Sequence, residues 1–265
     1  MGAAIARRLH SRGFDLRLWN RTRSRAEEVG VGTVMDDPRD VVAGSEAILS
    51  VLTGPAAVHA VYDMVLPSAT RQVFVEMSTG GPALLVDLEL KVIARGSSLV
   101  SSPVVAAPPA VERGQGFFLL GGAGEAIERI RPIIESLGTY EAVGSHRKAA
   151  NMKLLNNSML ATNLAIAAEL VTGGVRAGLT PEEAFGFMKR HAPYLETRKS
   201  GFLGGPYEPL TFSLKDMLKD IDLTLDSLAG PEFQMPLLEA VRLAFADVVA
   251  EHGEEEVSAV LERYR

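Results

Sequence analysis

The sequence predicts an α/β protein, a doubly wound parallel sheet over 1–145 followed by an all-helical domain over 146–265. Two observations carry this. Short apolar runs such as Ala47-Ile48-Leu49-Ser50-Val51-Leu52 and Val73-Phe74-Val75-Glu76-Met77 read as strands buried on both faces, and they alternate with helical stretches, which implies parallel pairing. Beyond Gly144 the apolar residues instead recur at helical spacing to the C-terminus.

Taken in order, residues 1–9 form a small-residue helix that stops near Gly13, and Leu16-Arg17-Leu18-Trp19 reads as a strand. Asn20-Arg21-Thr22-Arg23-Ser24-Arg25 follows, with Ser24-x-x-Glu27 as a capping box for the next helix. In a doubly wound sheet the end of the second strand meets the adenosine ribose, where a carboxylate favours a free 2′-hydroxyl and arginine a 2′-phosphate. Asn20, Arg21 and Thr22 are therefore read as contacts to NADP, with NAD as the alternative; the plainer account is a solvated basic turn. A helix over 55–64 follows the 47–52 strand, and one beginning at Pro82 follows the 73–77 strand. Thr53, Ser78 and Thr79 thus lie at carboxyl ends of strands, where open α/β sheets bind ligands. Strands over 99–101, 117–120 and 140–143 and a helix over 125–137 complete the domain. The helical half opens with a long segment over 147–177. Thr180-Pro181-Glu182-Glu183 starts another helix, with Thr180 as N-cap. A Gly- and Pro-rich loop over 201–209 leads to a stripe of Leu214, Leu218, Ile221 and Leu225, flanked by Lys219-Asp220, and two helices end the chain.

Composition narrows the function. The 265 residues carry a net charge of −6 without a basic stripe, which gives no footprint for nucleic acid. With no cysteine and five scattered histidines, disulfides, thiol chemistry and metal sites are not expected. No run of about eighteen apolar residues and no signal-like N-terminus are found, so no membrane is expected and the protein is placed in the cytoplasm, acting on a small molecule.

Lys153 stands out. It lies on the long apolar helix with Asn157 four residues on, so an ammonium and a carboxamide share one face. That pair suits proton transfer to a carbonyl or from a hydroxyl, although a snorkelling lysine on a polar stripe gives the same pattern.

Met1-Gly2, Trp19-Asn20-Arg21-Thr22, Ser78-Thr79-x-x-Pro82, Lys153-x-x-Asn156-Asn157 and Phe212 to Ile221 with Lys219-Asp220, in that order, resemble the β-hydroxyacid dehydrogenase family and its Rossmann-type dinucleotide domain. The resemblance covers essentially the whole chain. It implies Lys153 as the catalytic proton donor and acceptor, a substrate pocket with Ser102, Pro103, Val104, Val105 and Asn157, and cofactor contacts at Gly2, Lys219 and Asp220. It also implies a hydroxyacid or semialdehyde substrate and a homodimer or homotetramer. An imine reductase-like enzyme and a catalytically silent dinucleotide-binding protein are the alternatives. There are two departures from the family pattern. Val105-Ala106-Ala107 stands where the family has Ser-Gly-Gly, and the chain begins inside the glycine fingerprint, so the first strand is expected to be missing and the pyrophosphate cradle weakened.

Overall fold

A computed structural model describes residues 1–265. The chain forms two compact units, Met1–Lys153 and Leu154–Arg265. The split falls after Lys153, where 145/146 is expected from sequence, because the first turns of the long helix belong to the first unit.

That unit runs α1 (Gly2–Ser11), β1 (Arg17–Leu18), α2 (Arg23–Glu27), β2 (Thr33–Val34), α3 (Pro38–Ala43), β3 (Ala47–Ser50), α4 (Gly54–Val65), β4 (Val73–Glu76), α5 (Gly81–Ile93), β5 (Ser98–Ser101), α6 (Pro108–Glu112), β6 (Gly116–Gly122), α7 (Gly124–Leu137), β7 (Gly138–Gly144) and the start of α8 (His146–Arg176). Five strands pair in the order β3-β4-β5-β6-β7, with β4 buried along its whole length. The apolar runs form strands as expected, but the sheet is not parallel throughout. The chain doubles back where Val104 bridges Phe118, so β6 runs antiparallel to β5.

β1 and β2 form a separate parallel pair. Both pieces lie against α1, whose Ile5 and Leu9 share a cluster with Leu16 beside β1 and with Ala47, Leu49 and Val51 at β3. No strand joins β1 to β3, and Ala47, Ile48 and Leu49 are partly exposed where a central strand would be covered. The gap lies where a first strand is expected to be missing.

One local expectation fails. The capping box Ser24-x-x-Glu27 does not form, because α2 starts at Arg23 with Thr22 as N-cap, and Glu27 instead pairs with Arg23 at 2.7 Å. At Gly2 an added Cβ would lie 3.7 Å from the Val51 Cβ, an ordinary contact, so packing here does not demand glycine.

The second unit contains the rest of α8, then α9 (Pro181–His191), α10 (Lys199–Phe202), α11 (Leu214–Leu228), α12 (Pro236–Ala246) and α13 (Val249–His252), and closes with a 3-10 turn at Val257–Arg263. Thr180 forms a full capping box with Glu183. Ala161, Leu164 and Ala168 of α8 pack in one core with Leu214, Met217 and Ile221 of α11 and with Phe245. By length and composition alone α8 could cross a membrane, but one of its faces is packed in this core.

Candidate active site

A cavity opens at the carboxyl ends of β4 and β5, lined by the loop after β4 (Ser78 to Gly81), by Glu76, Leu85 and Pro103, and by Ala150 and Lys153 of α8. The loop turns sharply into α5 because Gly81 takes a φ of 78°, which a side chain would disfavour. An added Cβ at Gly80 would lie 2.1 Å from Leu84 Cδ2. Ser78 ties this loop to the neighbouring strand end: its hydroxyl accepts the Leu52 N–H at 2.8 Å, while its own N–H donates to Glu76 Oε1 at 2.7 Å.

Glu76, at the end of β4, is 1% exposed. Its other carboxyl oxygen accepts the Ser50 hydroxyl, and Ser50 lies 3.2 Å from the Tyr62 hydroxyl. Burial pushes the Glu76 carboxyl above the usual range, opposed by the hydrogen bonds from Ser50 and Ser78; burial raises the Tyr62 phenol well up, with the Glu76 charge adding to it. Sequence reasoning passed over Glu76. The available signal is a carboxylate inside Val73-Phe74-Val75-Glu76-Met77, which has no apolar reason to be there.

Lys153 reaches the cavity from α8, one turn after Ala150, so the two share a face. The first turn of that helix is pinned by His146, whose Nδ1 lies 3.1 Å from Ser101 Oγ and whose Nε2 lies 3.3 Å from Glu89 Oε1. The Ser101 hydroxyl also donates to the Gly121 carbonyl at 3.2 Å. Burial lowers the His146 pKa, with Glu89 opposing.

The cavity therefore brings together Lys153, Ser78, Thr79 and Pro103 of the residues singled out from sequence. Ser102 and Val104 are buried and line no part of it, and Val105 is partly exposed on the segment that leaves it. Thr53 is exposed at the start of α4. Asn20 accepts the Thr22 N–H at 2.9 Å and shapes the turn that carries Arg21, which is exposed and unpaired; Arg23 is held by Glu27 and Asp36. In the second unit Asn157 is buried, accepts from Asn156 at 3.0 Å and donates to Asp220, which also receives Lys219 Nζ at 2.6 Å. Asp220 is 1% exposed, so this is not the ordinary surface ion pair that spacing alone suggests.

A dinucleotide fits these strand ends. α1, α4 and α5 all begin without a side-chain cap and without an acidic residue in the first turn, leaving backbone N–H groups and the positive helix end for a pyrophosphate.

Residues 1–150 match the family of the NAD binding domain of 6-phosphogluconate dehydrogenase, and residues 148–264 match that of the NAD-binding of NADP-dependent 3-hydroxyisobutyrate dehydrogenase. The chain belongs to the β-hydroxyacid dehydrogenase family. It is similar to glyoxylate/succinic semialdehyde reductase 2 of Arabidopsis thaliana chloroplasts, at 25% identity over 99% of this chain and 76% of that protein. It is also similar to 3-hydroxyisobutyrate dehydrogenase of Pseudomonas aeruginosa, at 25% identity over 84% of this chain and 80% of that one. The solved structure of Psf3 in complex with NADP+ shares the fold, with a TM-score of 0.87 at 23% identity over 99% of this chain and 96% of that one. Membership accounts for the Rossmann-type unit and the helical unit after it, and NAD(P) is the cofactor class.

Proposed function

We propose that this β-hydroxyacid dehydrogenase family member is an oxidoreductase that passes a hydride between a nicotinamide dinucleotide and the oxygen-bearing carbon of a small hydroxyacid or semialdehyde. The observation that carries the reading is Lys153 lining one cavity with the Ser78–Gly81 loop at the carboxyl end of the sheet. The bound nicotinamide supplies or takes up the hydride. Lys153 holds the proton: its ammonium protonates the carbonyl oxygen as it becomes a hydroxyl, and its neutral amine accepts that proton in the reverse direction. Ser78, Thr79 and the loop amides bind the cofactor beneath it, with Glu76 fixing the loop through Ser78. Thr53 and the N-terminal end of α1 at Gly2 contribute to the same dinucleotide. Pro103 shapes the substrate side.

NADP is preferred over NAD in this reading. Arg21 supports it, since it is exposed, unpaired and presented by the Asn20–Thr22 turn where a 2′-phosphate would lie. A homodimer or homotetramer is proposed as well, supported by Leu155, Met159, Ile166 and Leu170 of α8, which sit at helical spacing with 53%, 63%, 46% and 50% of their surface exposed. Sedimentation analysis tests that, and a monomer at micromolar concentration refutes it. The reaction is tested by following NADPH and NADH oxidation with a panel of aldehyde and keto acids; turnover with NADPH is expected, and none with any acid or either cofactor contradicts the reading.

A further inference from the structure

From Pro103 to Val111 the chain reads Pro-Val-Val-Ala-Ala-Pro-Pro-Ala-Val, nine residues without one polar side chain. The strip leaves the cavity wall at Pro103, and residues 105–110 are partly or fully exposed. Its backbone offers little more than its side chains. The Val105 N–H donates to the Phe117 carbonyl at 2.8 Å, and the Ala110 and Val111 N–H groups both donate to Ala107 at 3.0 and 3.3 Å. Pro108 and Pro109, the first two residues of α6, have no N–H to give, so this helix start lacks the donors an anion would use. Within 105–109 that leaves the amides of Ala106 and Ala107, each beside a methyl. Lys153 is the one cation lining the cavity, and the Glu76 carboxyl lines it too, which disfavours bringing in a second carboxylate.

We propose a further activity of this site: reduction of uncharged aliphatic aldehydes, whose arm lies along the exposed 105–110 part of the strip, with a kcat/KM above or within about threefold of that for semialdehydes of the same carbon skeleton. The proposal rests on the reading of Lys153 and the dinucleotide above and adds a substrate class to it. The carbonyl carbon gains the hydride given up by reduced nicotinamide, the C=O π pair moves to oxygen, and oxygen takes its proton from the Lys153 ammonium. A primary alcohol and oxidised dinucleotide result, and solvent reprotonates Lys153.

Two pairs matched in skeleton test it on the whole chain at saturating NADPH: butanal against succinic semialdehyde, and isobutyraldehyde against methylmalonate semialdehyde. The expected kcat/KM of each neutral aldehyde exceeds that of its partner or falls within about threefold of it. The triple variant Val105→Ser, Ala106→Gly, Ala107→Gly, which opens the strip and gives it a hydroxyl, is expected to move both ratios toward the semialdehyde by about threefold or more. A larger wild-type preference for either semialdehyde, or a smaller shift in the variant, overturns the proposal. If no carbonyl compound is reduced, the oxidoreductase reading fails on its own. Competition between 1-butanol and 4-hydroxybutyrate by saturation-transfer NMR then decides on the strip by the same thresholds, because binding needs no chemistry.

Discussion

Arg21 and Arg23 lie two residues apart in one turn, yet their situations differ, since Arg23 is bound by Glu27 and Asp36 and Arg21 by nothing. Arg21→Asp is therefore expected to move the kcat/KM ratio of NADPH to NADH toward NADH by at least about tenfold, whereas Arg23→Ala should move it little. A wild-type protein that already uses NADH as well as NADPH would make the turn merely solvated. Glu76 gives a pH prediction. Burial raises its carboxyl above the ordinary value of 4.5, so the folded state binds more protons than the unfolded one once the pH passes 4.5, and stability declines as pH rises through the folded pKa. Glu76→Gln keeps an acceptor for Ser78 and removes the charge, so its stability relative to wild type should improve between pH 4.5 and 7; thermal unfolding at both pH values checks this. Lys153 and the Ser78-Thr79 pair could be singled out only through the family resemblance, because a snorkelling lysine and an ordinary short turn leave the same local pattern. Glu76 could not, since its partners Ser50 and Tyr62 come from other elements.

At the level of elements, β3 and β4 could be read from their unbroken apolar runs, although only β4 is buried along its length, and α9 because its cap is local. The reversed direction of β6 could not, since it depends on Val104 meeting Phe118 across the turn. Nor could α2, where Arg23 outcompetes Ser24 for Glu27. α8 depends on His146 for its anchorage, and this too responds to pH. The unfolded chain protonates His146 near 6.5, while burial between Ser101 and Glu89 lowers that value in the folded protein, so the unfolded state binds more protons and stability falls as pH drops below 6.5. His146→Asn is expected to reduce the difference in thermal midpoint between pH 7.5 and 5.5. An unchanged difference would remove His146 from the account.

For the whole molecule, the divided sheet is the feature with the largest consequence. β1 and β3 each present an unpaired edge beneath α1, next to the helix N-terminus that a pyrophosphate would use. Buried strand edges are normally paired. NADPH is accordingly expected to bind weakly to residues 1–265, and a form with about ten residues ahead of Met1, carrying a strand and Gly-x-Gly, is expected to bind it in the micromolar range common among enzymes. Calorimetric titration of both forms checks this, and equal affinities would show that the gap is harmless. The position of the gap under α1 could not be read from the sequence, because it depends on the packing of Ile5 and Leu9 against residues at both sheets.

In the proposed reaction Lys153 carries the proton. Lys153→Met keeps most of the side-chain volume and the helix propensity while removing the ammonium. The most direct measurement is the turnover of wild type and this variant on the best carbonyl substrate, together with NADPH affinity by titration. The expected result is a fall in kcat of at least about a hundredfold with NADPH affinity changed by less than about threefold; undiminished turnover would overturn the assignment of Lys153.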